Sequence, residues 1–314
     1  MLNLEPEATT VSGLSSGAFM AVQLQVAFSS AISGAGIVAG GPYDCADHSL
    51  WRAFYVCMDP LFFDADPDNS LESMQALAAE NRIDPLQDIA PDRLYLFHGQ
   101  ADDTVARSTM DALGQTYELL GVDPGDMTYV TDVDAGHGFV TEQGTVTCNA
   151  TRPDFLIDCD FDQAGDILTQ LYGDLSPPAD PREEGFVVFD QAGYLEGASG
   201  MDERAFVYVP ADCAAGESCR LHIALHGCKQ GRQVIGQDYA RLTGYNRWAE
   251  ANRIVVLYPQ AKIIPAPWYN WFAGNPNGCW DWWGYSGPDY LSRAAPQLSA
   301  VARMAAALGA PLQQ

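Results

Sequence analysis

Positive charge is scarce in this sequence: 16 Lys and Arg residues stand against 41 Asp and Glu, a formal net charge of −25. Such a surface repels phosphate backbones, which argues against nucleic acid as a partner. It suits a protein kept soluble at raised salt, or one whose substrate is uncharged. Long apolar runs are missing too, and no stretch could span a bilayer. The N-terminus, Met1-Leu2-Asn3-Leu4-Glu5, lacks the basic and apolar regions of a signal peptide, so a secreted protein would be represented here in mature form. No cysteine pair has C-x-x-C spacing and the histidines do not cluster near cysteines, so no metal site is expected. There is no internal repeat and no Thr/Pro/Gly-rich tether to an added binding module.

What is present is a 314-residue chain, 47% hydrophobic, able to bury a large core as one domain. Its eight cysteines fall in sequence-local pairs, Cys45 with Cys57, Cys148 with Cys159 and Cys213 with Cys219, leaving Cys228 and Cys279. Four disulfides in an oxidising compartment is the reading, with connectivity open and buried thiols as the alternative.

The chain is organised around Thr10-Val11-Ser12-Gly13-Leu14-Ser15-Ser16-Gly17-Ala18-Phe19-Met20, which contains G-x-S-x-G centred on Ser15. A β-branched run (Thr9, Thr10, Val11) precedes it, and an apolar, helix-compatible run from Ala18 to Phe28 follows. That is the strand–turn–helix setting of a nucleophile elbow. A serine on so tight a turn has strained backbone angles and close neighbours, so its flanking positions must be small. The next helix aims its N-terminus at the serine, where N–H groups can stabilise an oxyanion. An ordinary Gly/Ser-rich turn would carry the same residues. The pattern gains meaning only if an acid, a histidine and an oxyanion loop occur where the chemistry needs them.

Taken in order, 34–39 reads as a buried strand, Tyr43 to Met58 as a cysteine-bracketed loop and Asn69 to Asn81 as a helix. Arg93 to Phe97 is a strand entering His98-Gly99-Gln100-Ala101-Asp102-Asp103-Thr104-Val105, and Ser108 to Leu120 an amphipathic helix. Met127 to Val133 is a strand delivering Asp134-Ala135-Gly136-His137-Gly138, and Asp162 to Tyr172 a helix. Two antiparallel-looking strands follow, Phe186 to Phe189 and Arg204 to Val209. A buried strand, Leu221 to Leu225, runs into His226-Gly227-Cys228, and Arg253 to Pro259 is the next. An aromatic region, Trp268 to Tyr285, precedes an alanine-rich helix from about Tyr290 to Leu308. The β-then-α alternation marks a mostly parallel central sheet flanked by helices.

In an α/β-hydrolase fold the triad runs Ser, then Asp or Glu, then His, at the C-terminal ends of strands. Ser15, Asp102 and His137 obey that order. The oxyanion loop should precede the serine, yet the only spare strand-to-His-Gly loop, Leu225-His226-Gly227-Cys228, follows all three. Moving the segment from about Phe186 to the C-terminus in front of residue 1 restores the usual order. The expected fold is therefore a circularly permuted α/β hydrolase. It is a single catalytic domain, with the triad in 1–175 and the leading strands and oxyanion loop in 186–314.

Gly13-Leu14-Ser15-Ser16-Gly17-Ala18, Gly40-Gly41-Pro42-Tyr43 before Cys45, Cys57-Met58, Leu225-His226-Gly227-Cys228-Lys229-Gln230 and Asn277-Gly278-Cys279-Trp280-Asp281-Trp282-Trp283-Gly284 together resemble the secreted poly(3-hydroxybutyrate) depolymerases. The permuted order is similar to their single-domain subgroup, and the resemblance covers nearly the whole chain. It implies an extracellular serine hydrolase of short-chain polyhydroxyalkanoates, needing no cofactor and expected to be a monomer. Many bacterial members carry a linker and a polymer-binding domain; this sequence shows neither, so adsorption would fall to the catalytic domain's own surface.

Ser15 is the expected nucleophile. His137, between two glycines just past a strand, is the expected general base and then acid. Asp102, in His-Gly-x-x-Asp-x-x-Val, is preferred over Asp103 and Asp134 as the orienting carboxylate. His48, His98, His222 and His226 are given structural roles. The oxyanion donors are expected to be the N–H of Ser16, the residue after the nucleophile, and an N–H from the 226–228 loop, which the resemblance assigns to Cys228. A Cys228–Cys279 bridge would hold that donor still. Among Trp268, Tyr269, Trp271, Phe272, Trp280, Trp282, Trp283 and Tyr285, most should be core, with Trp280 chosen as the residue lining a substrate cleft. The competing readings are a secreted feruloyl or acetyl xylan-type carboxylesterase, with the same triad, and a catalytically silent binding protein on a hydrolase scaffold.

Overall fold

The computed structural model describes residues 1–266, 268 and 274–313. Eight strands form the main sheet. They are β1 (Leu4–Leu14), β2 (Ile32–Val38), β3 (Arg93–Phe97), β4 (Met127–Val130), β8 (Phe186–Asp190), β9 (Arg204–Tyr208), β10 (Cys219–Leu225) and β11 (Ile254–Tyr258). Three short strands, β5 (Phe139–Val140), β6 (Val146–Thr147) and β7 (Leu156–Asp158), make a separate small sheet in the order β5-β7-β6. The main sheet runs β4-β3-β2-β1-β10-β11-β9-β8. It is parallel throughout except at β9, which is antiparallel to both β11 and β8.

Alternation within the strands builds two cores. Leu94 and Leu96 join the cluster on one face, and Tyr95 and Phe97 that on the other. A parallel sheet covered on both faces needs such two-sided strands. The helix Ser16–Ala27 that follows β1 is buried at every residue, as expected of a helix apolar all round. Its two glutamines donate to internal partners: Gln25 Nε2 to Asp92 at 2.6 Å and Gln23 Nε2 to the Tyr290 carbonyl at 2.9 Å.

The chain starts in the middle of its sheet. Opened before β8 and joined end to end, the strands would run β8, β9, β10, β11, β1, β2, β3, β4, which is their spatial order apart from the exchange of β10 and β11. The helix Pro296–Leu308 would then lead into β1, and Leu2 N–H already donates to the Leu308 carbonyl at 2.9 Å. This is the permuted α/β-hydrolase arrangement.

Several boundaries differ from the sequence reading. The last helix begins at Pro296 rather than Tyr290, because proline supplies the first helical position. The β4 strand stops at Val130, and Tyr43 to Met58 is no open loop but contains helical turns at Leu50–Arg52 and Ala53–Met58. The helix Tyr245–Asn252 and the small sheet were not anticipated. Tyr269, Trp271 and Phe272 lie outside the described residues. All eight cysteines pair, as Cys45–Cys57, Cys148–Cys159, Cys213–Cys219 and Cys228–Cys279. Among the described residues no helix is long and apolar enough to cross a membrane, and no group of three metal-ligating side chains occurs.

Candidate active site

Ser15 sits between β1 and the buried helix with φ 55° and ψ −120°, a strained conformation for a residue with a side chain. Its N–H donates to the Val38 carbonyl at 2.9 Å, and its own carbonyl accepts from Ala18 and Phe19 at 2.8 and 3.0 Å. The flanking glycines are sterically required. A Cβ on Gly13 would lie 2.2 Å from the Gly17 carbonyl oxygen, and one on Gly17 would lie 2.3 Å from the Leu225 oxygen. The second approach seats the elbow against the end of β10, so the loop His226-Gly227-Cys228 emerges beside Ser15.

Asp102 and His137 come from the loops after β3 and β4. A Cβ on Gly99 would meet the Ala135 oxygen at 2.1 Å, and Ala101 N–H donates to that oxygen at 3.0 Å, which locks the two loops together. His137 Nδ1 lies 2.8 Å from Asp102 Oδ2, both side chains being buried. Asp102 Oδ1 accepts from the N–H groups of Thr104 and Val105 at 2.8 and 3.1 Å. Burial pushes the Asp102 carboxyl up, but His137 and those two N–H groups outweigh it and hold the group below its ordinary value. A carboxylate that stays ionised fixes Nδ1 as the protonated nitrogen and leaves Nε2 with its free lone pair.

The other buried histidines do different work. His222 bridges Thr10 Oγ1 and Ser12 Oγ at 2.7 and 2.8 Å, tying β10 to β1. Burial lowers its pKa to about 3. His226 Nδ1–H donates to the Gly227 carbonyl at 2.7 Å while Nε2 accepts from Ala261 N–H at 3.1 Å, and burial lowers its pKa to about 4. His98 Nε2 bonds the Val105 carbonyl at 2.8 Å.

Ser15, His137, Met58, Thr104, Phe155 and Cys228 line one cavity of about 350 Å³. Gly227 N–H is occupied by Gln230 Oε1 at 2.7 Å. Among the described residues no acceptor meets the N–H of Ser16 or that of Cys228, leaving one donor at the helix start and one in the loop. A second cavity of about 280 Å³ adjoins the first at Met58, Cys228 and Asn277, and is walled by Phe54, Trp282 and Trp283. Contrary to the expectation from sequence, Trp280 lines neither of these cavities. It is fully buried, with Nε1–H donating to the His226 carbonyl at 3.0 Å, so it braces the loop from behind. Trp282 offers a wall instead, stacked on Phe19 with ring centroids 4.2 Å apart. The sequence carries no local signal that separates Trp280 from Trp282, since residues two apart in extended chain share a side.

A strained serine elbow on a parallel sheet, facing a buried His–Asp pair, defines an α/β hydrolase. No family model matches the chain. It is 39% identical over 310 residues to the poly(3-hydroxybutyrate) depolymerase of Delftia acidovorans, covering 96% of this chain but 60% of that one. It is 37% identical over 309 residues to the polyhydroxybutyrate depolymerase of Talaromyces funiculosus, covering 95% and 88%. Among solved structures, it superposes with a TM-score of 0.85 and 34% identity on the PHB depolymerase from Penicillium funiculosum, covering 96% of this chain and 95% of that one. A PHB depolymerase complexed with an R3HB trimer matches equally well. The chain belongs to the polyhydroxybutyrate depolymerase family. It spans 60% of the length of the Delftia relative.

Proposed function

We propose that the chain is an extracellular serine esterase that hydrolyses poly(3-hydroxybutyrate) and related short-chain polyhydroxyalkanoates to monomer and short oligomers. The observation that carries this reading is one cavity shared by Ser15, the Asp102-paired His137 and the Cys228 loop. Ser15 Oγ bonds to the ester carbonyl carbon as its proton passes to His137 Nε2, and the N–H groups of Ser16 and Cys228 stabilise the oxyanion. The carbonyl re-forms as the alcohol oxygen leaves with the proton from His137. Water then gives a proton to His137 and attacks the acyl-enzyme; the acid departs and Ser15 recovers its proton.

An uncharged polyester approaches a chain of net charge −25 without repulsion, whereas each product carries a carboxylate and is repelled from it. Adsorption to solid polymer falls to the segment Trp51 to Phe63. There Leu61, Phe62 and Phe63 are 62%, 71% and 72% exposed, with Trp51, Phe54 and Tyr55 also exposed. So dense an exposed apolar group marks an interaction site, and Met58 and Phe54 of the same segment reach the cavities. Four disulfides fit an oxidising, extracellular setting.

Incubation with poly(3-hydroxybutyrate) film and analysis of the soluble products tests the reading. Release of hydroxybutyrate and short oligomers, lost in Ser15→Ala while adsorption persists, is the expected result. Cleavage of aryl or sugar esters with no action on the polyester would replace it with a feruloyl or acetyl xylan-type esterase. Failure of Ser15 to react with an organophosphonate would remove the catalytic assignment altogether.

A further inference from the structure

Gln230 takes no part in the chemistry above, yet its buried side chain touches both walls of the site. Oε1 accepts from Gly227 N–H at 2.7 Å, while Nε2 donates to the Asp154 carbonyl at 2.7 Å and reaches the Phe155 carbonyl at 3.4 Å. The Phe155 carbonyl also accepts from Phe139 N–H at 2.8 Å, two residues past His137. The Phe155 ring stands edge-on to the imidazole with centroids 6.4 Å apart. One amide thus connects the loop that carries Cys228 to the segment that carries His137. The Cys228–Cys279 bridge ties the loop to the aromatic region instead, and among the described residues no other side chain hydrogen-bonds both walls.

We infer that Gln230 is a positioning residue, which sets the Cys228 N–H against His137 so that oxyanion binding and proton transfer are served by one fixed geometry. An amide has one acceptor and one donor end in rigid relation, and the buried Gly227 N–H would otherwise have no partner. By occupying Gly227 N–H it also leaves Cys228 as the loop's free donor. The inference rests on the roles proposed above for Cys228 and His137.

Gln230→Met removes both contacts at similar size, whereas Gln230→Glu keeps an acceptor for Gly227 N–H but has no N–H for the Asp154 carbonyl. Turnover of a soluble p-nitrophenyl ester is measured per phosphonate-titrated site, which counts only folded, reactive enzyme. Losing a preorganised donor costs about 10²–10³-fold in kcat, and a displaced donor less, so both variants should lose roughly 10- to 100-fold in kcat with KM nearly unchanged. Wild-type kcat per site in Gln230→Glu would overturn the link to the His137 wall. Wild-type kcat in Gln230→Met would overturn any positioning role, and either variant suffices should the other not fold. An unmodified enzyme that neither turns over the ester nor takes the label would instead sink the esterase reading itself.

Discussion

Ser15 and His137 face each other across one cavity but are held by different means. The serine stands on β1 and a helix buried at every residue, where two glycines let backbone touch backbone. The histidine stands on a segment whose strands are two or three residues long, closed by Cys148–Cys159. Its backbone N–H is fastened to Thr151 Oγ1 at 2.9 Å. Regular packing over-determines Ser15; a cross-link and a few side-chain bonds hold His137. Strain is tolerated where the surroundings are rigid, and Ser15 has such surroundings whereas His137 rests on irregular backbone.

Substitutions separate the two kinds of support. Ser15→Ala should lower kcat on a soluble ester by about 10⁶-fold with an unchanged circular dichroism spectrum, since the elbow does not depend on the hydroxyl. Asp102→Asn should cost about 10⁴-fold in kcat through the wrong imidazole tautomer, with thermal stability nearly kept; a loss below tenfold would point to a different orienting group. Gly17→Ala should damage both fold and turnover, because its Cβ meets backbone rather than a movable side chain. A destabilisation of about 2–4 kcal/mol in urea unfolding is expected.

Removing Cys148–Cys159 by paired serine substitutions should cost roughly 3 kcal/mol and lower kcat, while phosphonate labelling of Ser15 slows only in proportion to the lost base. Equal damage from this change and from Gly17→Ala would erase the contrast between the two regions. The smallest effect concerns charge. Raising NaCl from 0.1 to 1 M should increase the unfolding temperature by a few degrees, as screening relieves the self-repulsion of a −25 chain. The rise should be larger in the bridge-free variant, whose loosened segment carries Glu142, Asp154, Asp158 and Asp160, of which Glu142 pairs with Arg247 at 2.9 Å.

Much of the scaffold was legible because its signals are local. The β3 strand follows from an apolar run between turns, and the elbow from glycines whose necessity is steric. The small sheet was not legible, since strands so short carry no period to read. Nor could counting aromatics tell that Trp280 faces the back of the loop and Trp282 the cleft. Motif spacing favours Asp102 over Asp103 and Asp134, and Asp102 is the carboxylate that lies 2.8 Å from His137 Nδ1.

By itself the sequence determined the strand–serine–helix turn and the chain order of the sheet's pieces, because each is written in short local patterns, while it left the cysteine connectivity open. Only the tertiary structure decided which carboxylate meets the histidine, which tryptophan reaches the cleft and which amide joins the two walls. Those outcomes depend on loops from distant strands converging on one edge of the sheet, and their distances are set by packing that no short stretch of sequence contains.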